Sequence, residues 1–294
     1  MGTNFIESIE PRHRPDHYLP LKVVPLMPNF GARVEGVDLL ADLSPDIRAK
    51  LREAWLNFGV LFITQQKKAF TPDEQLRVAG IFGVPDNGSP MVEKATTQVD
   101  VITIDQDRPP LTNLWHSDNS SMPVPSLGTL IQIQVCPPVG GNTAWACTRK
   151  AYNCLSETMK AYLEGKVAGH YWDIRGLSDP VYLQKDDDNW YFDRVRKYPP
   201  KQNPVIIRHP ITGEKSIFVN ETYTRYISGV HKYESKYILE FLYSWIRMPE
   251  FYVSHHWSEN DVAVWDNYTM QHYAIADFTQ KRVNQRVTFN AAAA

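Results

Sequence analysis

The sequence predicts an α+β, mainly β, domain, and three observations carry that expectation. Aromatic residues are abundant, with Trp 8, Tyr 15 and Phe 12, and such side chains suit strands and apolar pockets. Strand-like runs dominate the second half, from Gly128 to Phe289. Helical periodicity is confined to a few capped segments.

Taken in order, residues 1–20 read as a polar N-terminal arm rich in Pro and His. Leu21–Leu26 and Ala32–Val37 read as strands. Ser44-Pro45-Asp46 opens a helix, with Ser as cap and Pro in the first turn. Ile47, Leu51, Trp55 and Phe58 share one face, and Gly59 stops it. Val60–Ile63 reads as a buried strand. Thr71-Pro72-Asp73-Glu74 opens a second helix by the same chemistry, expected to end at Gly83. Gly128–Val135 alternates as a half-buried strand, and Pro137–Gly141 is a turn. Residues 149–164 are expected to be helical, restarting at Ser156 and stopping at Gly165. Residues 172–203 are charged, aromatic and irregular, and read as a lid or insertion. Pro204–Arg208 and Lys215–Val219 read as a hairpin, and 231–247 as an amphipathic helix. Phe251–Trp257 and Val262–Trp265 read as another hairpin, and Val283–Phe289 as a final strand. One domain over 21–290 is expected, followed by an Ala291–Ala294 tail.

Composition narrows the function classes. Apolar residues make up 43% and the formal net charge is −2, with no long run of one sign. A nucleic-acid partner is therefore not expected. No apolar stretch reaches the roughly 20 residues of a membrane span, and the N-terminus shows no signal peptide. Cys136, Cys147 and Cys154 form no CxxC pair, which fits free thiols in a reducing, cytoplasmic setting.

Chemistry concentrates in two distant segments. One is Leu114-Trp115-His116-Ser117-Asp118. The other runs from Trp265-Asp266-Asn267 through Gln271-His272 to Arg282 and Arg286. Residues i and i+2 of a strand face one side, so His116 and Asp118 can meet one metal, with His272 supplied from elsewhere. Two imidazoles and a carboxylate form an iron(II) site with open positions. A dicarboxylate would need a cationic fork, which Arg supplies, and a nearby Thr hydroxyl can add a donor. Met91, Met122, Tyr223 and Tyr226 are candidates for a pocket wall, with ordinary core as the other reading. Arg225 reads as solvated. His255 and His256 point to opposite strand faces, and with His209 they read as structural.

The chain resembles the taurine dioxygenase / 2,4-dichlorophenoxyacetate dioxygenase family of iron(II)- and 2-oxoglutarate-dependent enzymes from about Val24 to Phe289. The matching motifs are Trp115–Asp118, Gly140-Gly141-Asn142-Thr143, Arg208-His209-Pro210, Phe218–Glu221, Trp265–Asn267 with Gln271–Tyr273, and Arg282–Arg286. The resemblance implies a double-stranded β-helix, or jelly-roll, core with flanking helices. It implies iron held by His116, Asp118 and His272, and Thr143 and Arg282 on the distal carboxylate of 2-oxoglutarate. It places Arg286 near an acidic substrate group or the cosubstrate, and Trp265 beside the iron. It further implies dioxygen as co-reactant, hydroxylation of a small organic substrate with elimination or desaturation as variants, and a homodimer or homotetramer. Asp118 stands where halogenases of the wider superfamily have Gly or Ala, so halogenation is disfavoured.

The taurine-specific branch carries a His and a Tyr shortly after its Phe-Gly. Here Phe82-Gly83 is followed by Val84–Val92 with neither, so taurine itself is not the expected substrate. Two other readings stand beside the enzyme. A non-catalytic jelly-roll binding protein would have lost a ligand or the Arg anchor, and a zinc hydrolase would carry a motif such as HExxH. Neither feature occurs.

Overall fold

The computed structural model describes residues 5–86, 98–107, 113–172 and 196–291. Met91, most of the expected 172–203 insertion and the last three residues of the tail lie outside them. The strands are β1 (Lys22–Pro25), β2 (Ala32–Glu35), β3 (Val60–Ile63), β4 (Val84–Pro85), β5 (Asp100–Ile104), β6 (Gly128–Val135), β7 (Thr143–Cys147) and β8 (Val167–His170). They continue as β9 (Lys201–Pro204), β10 (Ile206–Arg208), β11 (Lys215–Ile217), β12 (Thr224–Ile227), β13 (Tyr252–His255), β14 (Val262–Asp266), β15 (Met270–Ala274) and β16 (Arg282–Asn290). Helices are α1 (Pro45–Phe58), α2 (Pro72–Ala79), α3 (Thr148–Asn153), α4 (Glu157–Leu163) and α5 (Lys232–Ile246).

The large sheet runs β1-β2-β3-β14-β6-β16, with β4 and β5 both on β16. Only its β2–β3 pair is parallel. A smaller sheet, β13-β7-β15, lies across the interior. Strand alternation sorts the large sheet into two faces. Val262, Val264, Leu130, Val287 and Phe289 join Trp55, Phe58 and Val78 beneath α1 and α2. Ala263, Trp265, Ile131 and Ile133 face inward and pack on Trp145 and Met270 of the smaller sheet. The expected mainly-β class, with helices outside, is what forms.

Local chemistry explains the element ends. The Ser44 side chain accepts from Ile47 N, and Gly59 leaves α1 at φ 73°, a left-handed conformation that glycine adopts freely. Thr71 and Glu74 form a reciprocal capping box, and a cap of this kind is worth about 1 kcal/mol. α2 ends earlier than expected, at Ala79 with Gly80 as its cap. The expected break at Ser156 separates α3 from α4.

Two expectations need correction. Phe251–Trp257 and Val262–Trp265 are not a hairpin. β13 pairs with β7, whereas β14 pairs with β3 and β6. The intervening turn is a corner between two sheets. The expected insertion also runs too far, since Lys201–Pro204 is a strand paired with β8. The N-terminal arm is ordered from Phe5 and packs on the core. Tyr18 is fully buried, and the His13 ring lies 4.9 Å from that of Phe58.

Candidate metal and cosubstrate site

The two distant segments meet. His116 forms an isolated antiparallel bridge with His272, through backbone bonds of 3.1 Å and 2.8 Å. Bridge partners project to one side, and the rings lie 4.1 Å apart. Asp118 completes a buried group whose ligand atoms all lie within 4.8 Å of one another.

The surroundings orient each donor. His116 Nδ1 lies 2.7 Å from the Leu114 carbonyl. A carbonyl only accepts, so Nδ1 carries the proton and Nε2 keeps its lone pair. Thr129 Oγ1 donates to Asp118 Oδ2 at 2.7 Å and accepts from Asn267 Nδ2 at 2.9 Å. Asn267 Oδ1 accepts from the Trp265 indole at 3.0 Å and from Asp118 N at 3.1 Å. Trp265 packs on His272 at 4.6 Å, where the sequence placed it. Ser117 turns away, donating to the Met270 carbonyl.

Electrostatics favour a cation. Burial pulls the His116 pKa down. Burial, then the neighbouring His116, pulls His272 down to about 3. Burial alone would raise Asp118, but the charge of its neighbours, Arg286 among them, and the Thr129 hydrogen bond outweigh it and hold the carboxyl below its usual range. The site thus presents two neutral imidazoles and a carboxylate, the protonation states that a divalent metal requires. His272 Nδ1 is buried without a hydrogen-bond partner. The donor set fits iron(II) with open positions.

Arg282 lies on β16. Gly140 and Gly141 turn at φ +77° and +68°, where a side chain would be strained. Gly141 N donates to Asp277 Oδ1 at 2.7 Å. The turn presents the Gly141 carbonyl and Thr143 to Arg282, whose Nη1 and Nη2 each donate at 3.0 Å. Trp257 Nε1 also donates to Thr143 Oγ1, at 3.1 Å. With both incoming groups donors, the Thr143 hydroxyl proton is directed elsewhere. Arg282 Nε is buried and unpaired, and burial lowers its pKa to about 10. Among the described residues no carboxylate pairs with it. A buried guanidinium and a poised hydroxyl fit the far carboxylate of a dicarboxylic acid.

Arg286, expected near an acidic substrate group or the cosubstrate, has a carboxylate partner within the chain. Its Nε and Nη2 reach Asp100 Oδ2 at 3.3 Å and 2.9 Å, leaving Nη1 3.6 Å from Asp118 Oδ1. Tyr223 comes to the site, its ring 6.4 Å from that of His116. Met122 lies in the turn after Asp118, half-buried, and Tyr226 packs over Gly169. His255 stacks on Phe62 at 4.3 Å and lies 3.2 Å from Asp261 Oδ2. His209 is fully buried 3.2 Å from Asp266 Oδ2. Both are structural. Sequence reasoning missed Asp100, Thr129 and Trp257. The β-branched run of Val101, Ile102, Thr103 and Ile104 beside Asp100 is a strand signal that could have found the first.

A profile of the family described as taurine catabolism dioxygenase TauD, TfdA family matches residues 22–288. An alkylsulfatase of Acinetobacter baylyi is 30% identical, over 91% of this chain and 84% of that protein. An (S)-phenoxypropionate/alpha-ketoglutarate-dioxygenase of Sphingobium herbicidovorans is 29% identical, over 89% of this chain and 92% of its own. The crystal structure of a taurine dioxygenase from Burkholderia xenovorans superposes with a TM-score of 0.76 at 27% identity, covering 92% of this chain and 90% of the other.

Proposed function

We infer that this chain, which belongs to the TauD/TfdA family, is an iron(II)- and 2-oxoglutarate-dependent dioxygenase acting on a small organic molecule. The observation that carries the reading is a buried His-Asp-His group together with a buried guanidinium, that of Arg282, which no carboxylate among the described residues answers.

In this reading His116, Asp118 and His272 bind iron, while Arg282 and Thr143 take the far carboxylate of 2-oxoglutarate. When bound, iron(II) with 2-oxoglutarate and dioxygen supplies oxidative decarboxylation to succinate and carbon dioxide, and oxidises a substrate C–H bond. Around that chemistry the chain positions and shields. Thr129 and Asn267 hold Asp118 in place, so that Oδ1 rather than Oδ2 faces His116 and Arg286. Trp265 fixes His272 and helps exclude water from the site. The whole catalytic unit is read as one domain over 21–290.

For the substrate we propose a small organic acid or ester bearing a carboxylate, sulfonate or sulfate. The alkylsulfatase and phenoxypropionate relatives support that class, and the absence of a His and a Tyr after Phe82-Gly83 speaks against taurine itself. Arg286 would meet such a group through Nη1, and Tyr223 and Met122 are proposed for the pocket wall. A cytoplasmic setting belongs to the same reading, supported by free Cys136, Cys147 and Cys154. Among the described residues no helix is long and apolar enough to cross a membrane. A homodimer or homotetramer is proposed from the family resemblance.

The test is succinate release with added iron(II), 2-oxoglutarate and a panel of organic acids and sulfate esters. The reading predicts release that needs both additions and rises with one panel member. No succinate under any condition would leave the non-catalytic binding protein as the better account.

A further inference from the structure

Asn284 is a buried polar side chain that the fold does not use. Its Oδ1 is shut off from solvent without a hydrogen-bond partner, and the residue is 8% exposed. Folded proteins rarely leave a buried amide unpaired, and each instance calls for an explanation.

Strand alternation fixes where this side chain points. On β16, Val287 and Phe289 join the core beneath the helices, and Gln285 bonds to Gln75 and Phe70 on that same side. Arg282, Asn284 and Arg286 face the other way. Arg282 ends against Gly141 and Thr143, and Arg286 ends near Asp118. Asn284 stands between them, about 7 Å along the strand from each. Its neighbours across the sheet are Ile102 and Ile133, neither of which can pair with an amide. One amide is therefore set beside apolar neighbours on the strand face that it shares with Arg286, near Asp118, and with the buried guanidinium of Arg282.

We propose that Asn284 is a further binding residue for the 2-oxo diacid, donating from its amide to an oxygen of the carboxylate-keto end. This rests on the function proposed above, because it needs the diacid to extend from the metal to Arg282. No protein donor holds the Asn284 oxygen, so the amide is free to turn its N–H bonds toward an acceptor that arrives with the ligand. An apolar side chain at the same place could line the cosubstrate's methylenes but could not answer its oxygens.

The test is calorimetric titration of 2-oxoglutarate into protein loaded with Mn(II), without oxygen or primary substrate. Wild type, Asn284→Leu and Asn284→Asp are compared, with melting temperatures of the unloaded proteins alongside. Losing a hydrogen bond to a charged group should weaken 2-oxoglutarate binding about tenfold or more in Asn284→Leu. Asn284→Asp, which sets a carboxylate against the diacid, should weaken it further. The unloaded Asn284→Leu protein should melt no lower than wild type, because an unpaired amide has been replaced by an apolar group. Both variants binding 2-oxoglutarate as tightly as wild type would overturn the assignment, including the case in which Asn284 serves only the primary substrate. Failure of the wild type to bind 2-oxoglutarate would instead overturn the proposed function itself.

Discussion

The His-Asp-His group and the Arg282 guanidinium are built on different principles. At the His-Asp-His group, charge is answered from within the chain. Asp118 receives Thr129 at 2.7 Å and faces Arg286 at 3.6 Å, and Arg286 is held in turn by Asp100. Arg282, by contrast, has a carbonyl and a hydroxyl but no anion among the described residues. The first carries much of its own scaffold. The second is, among the described residues, a buried charge without its opposite. An uncompensated buried charge is costly, and under the proposed function that cost at Arg282 would serve binding.

That contrast can be broken by substitution, and the largest effect is expected at Arg282. Arg282→Met should weaken 2-oxoglutarate binding by about 2–5 kcal/mol, the usual cost of removing one partner of a buried charge pair. The same change should leave the melting temperature of the unloaded protein unchanged or higher. A drop in melting temperature with unaltered cosubstrate affinity would make Arg282 a structural residue. Next in size is Thr129→Val, which removes the hydroxyl that orients Asp118. Loss of such an outer partner lowers metal affinity about 10- to 100-fold, measurable by competition with a chelator, whereas no change would mean that Asp118 is held without it.

The pH response sharpens the comparison by reporting on a buried imidazole away from the metal. His170 is fully buried, and burial, with Arg225 adding to it, lowers its pKa from 6.5 to about 3. Between those values the unfolded chain binds a proton that the folded chain refuses. His170 therefore contributes stability above pH 6.5 that is lost progressively as pH falls toward 3. The unloaded protein should melt at lower temperature at pH 5 than at pH 7, and His170→Asn should flatten that slope. An unchanged slope would remove His170 as its source. The smallest effect is expected from Asp100→Asn. Releasing Arg286 from its carboxylate should lower the KM for an anionic substrate a few-fold with little change in the 2-oxoglutarate requirement. Equal shifts in both would place Arg286 on the cosubstrate instead.

How much of this could be read from the sequence followed the range over which each signal acts. His116 and Asp118 stand two apart, and Ser44, Gly59 and Thr71 act on their own helices, so local spacing and capping chemistry revealed them. The convergence of His272, Thr143 and Arg282 is long-range, and motif order supplied it. The hairpin assigned to 251–265 failed because Ser258-Glu259-Asn260-Asp261 has the composition of any tight turn. Nothing in four residues says whether the strands they join belong to one sheet or to two. Arg286 was recognised but its partner was not, because Asp100 lies opposite it across a strand pair whose register is set by the whole sheet. Asn284 carries no signal in sequence at all. Only its position between two arginines on an inward-facing strand makes it conspicuous.

The most direct test is the stoichiometry of iron(II) bound under anaerobic conditions by wild type, His116→Ala and Asp118→Ala. The account predicts one iron(II) per chain in the wild type and none retained by either variant, with melting temperatures showing that both remain folded. Iron bound by the folded variants at the wild-type ratio would contradict it.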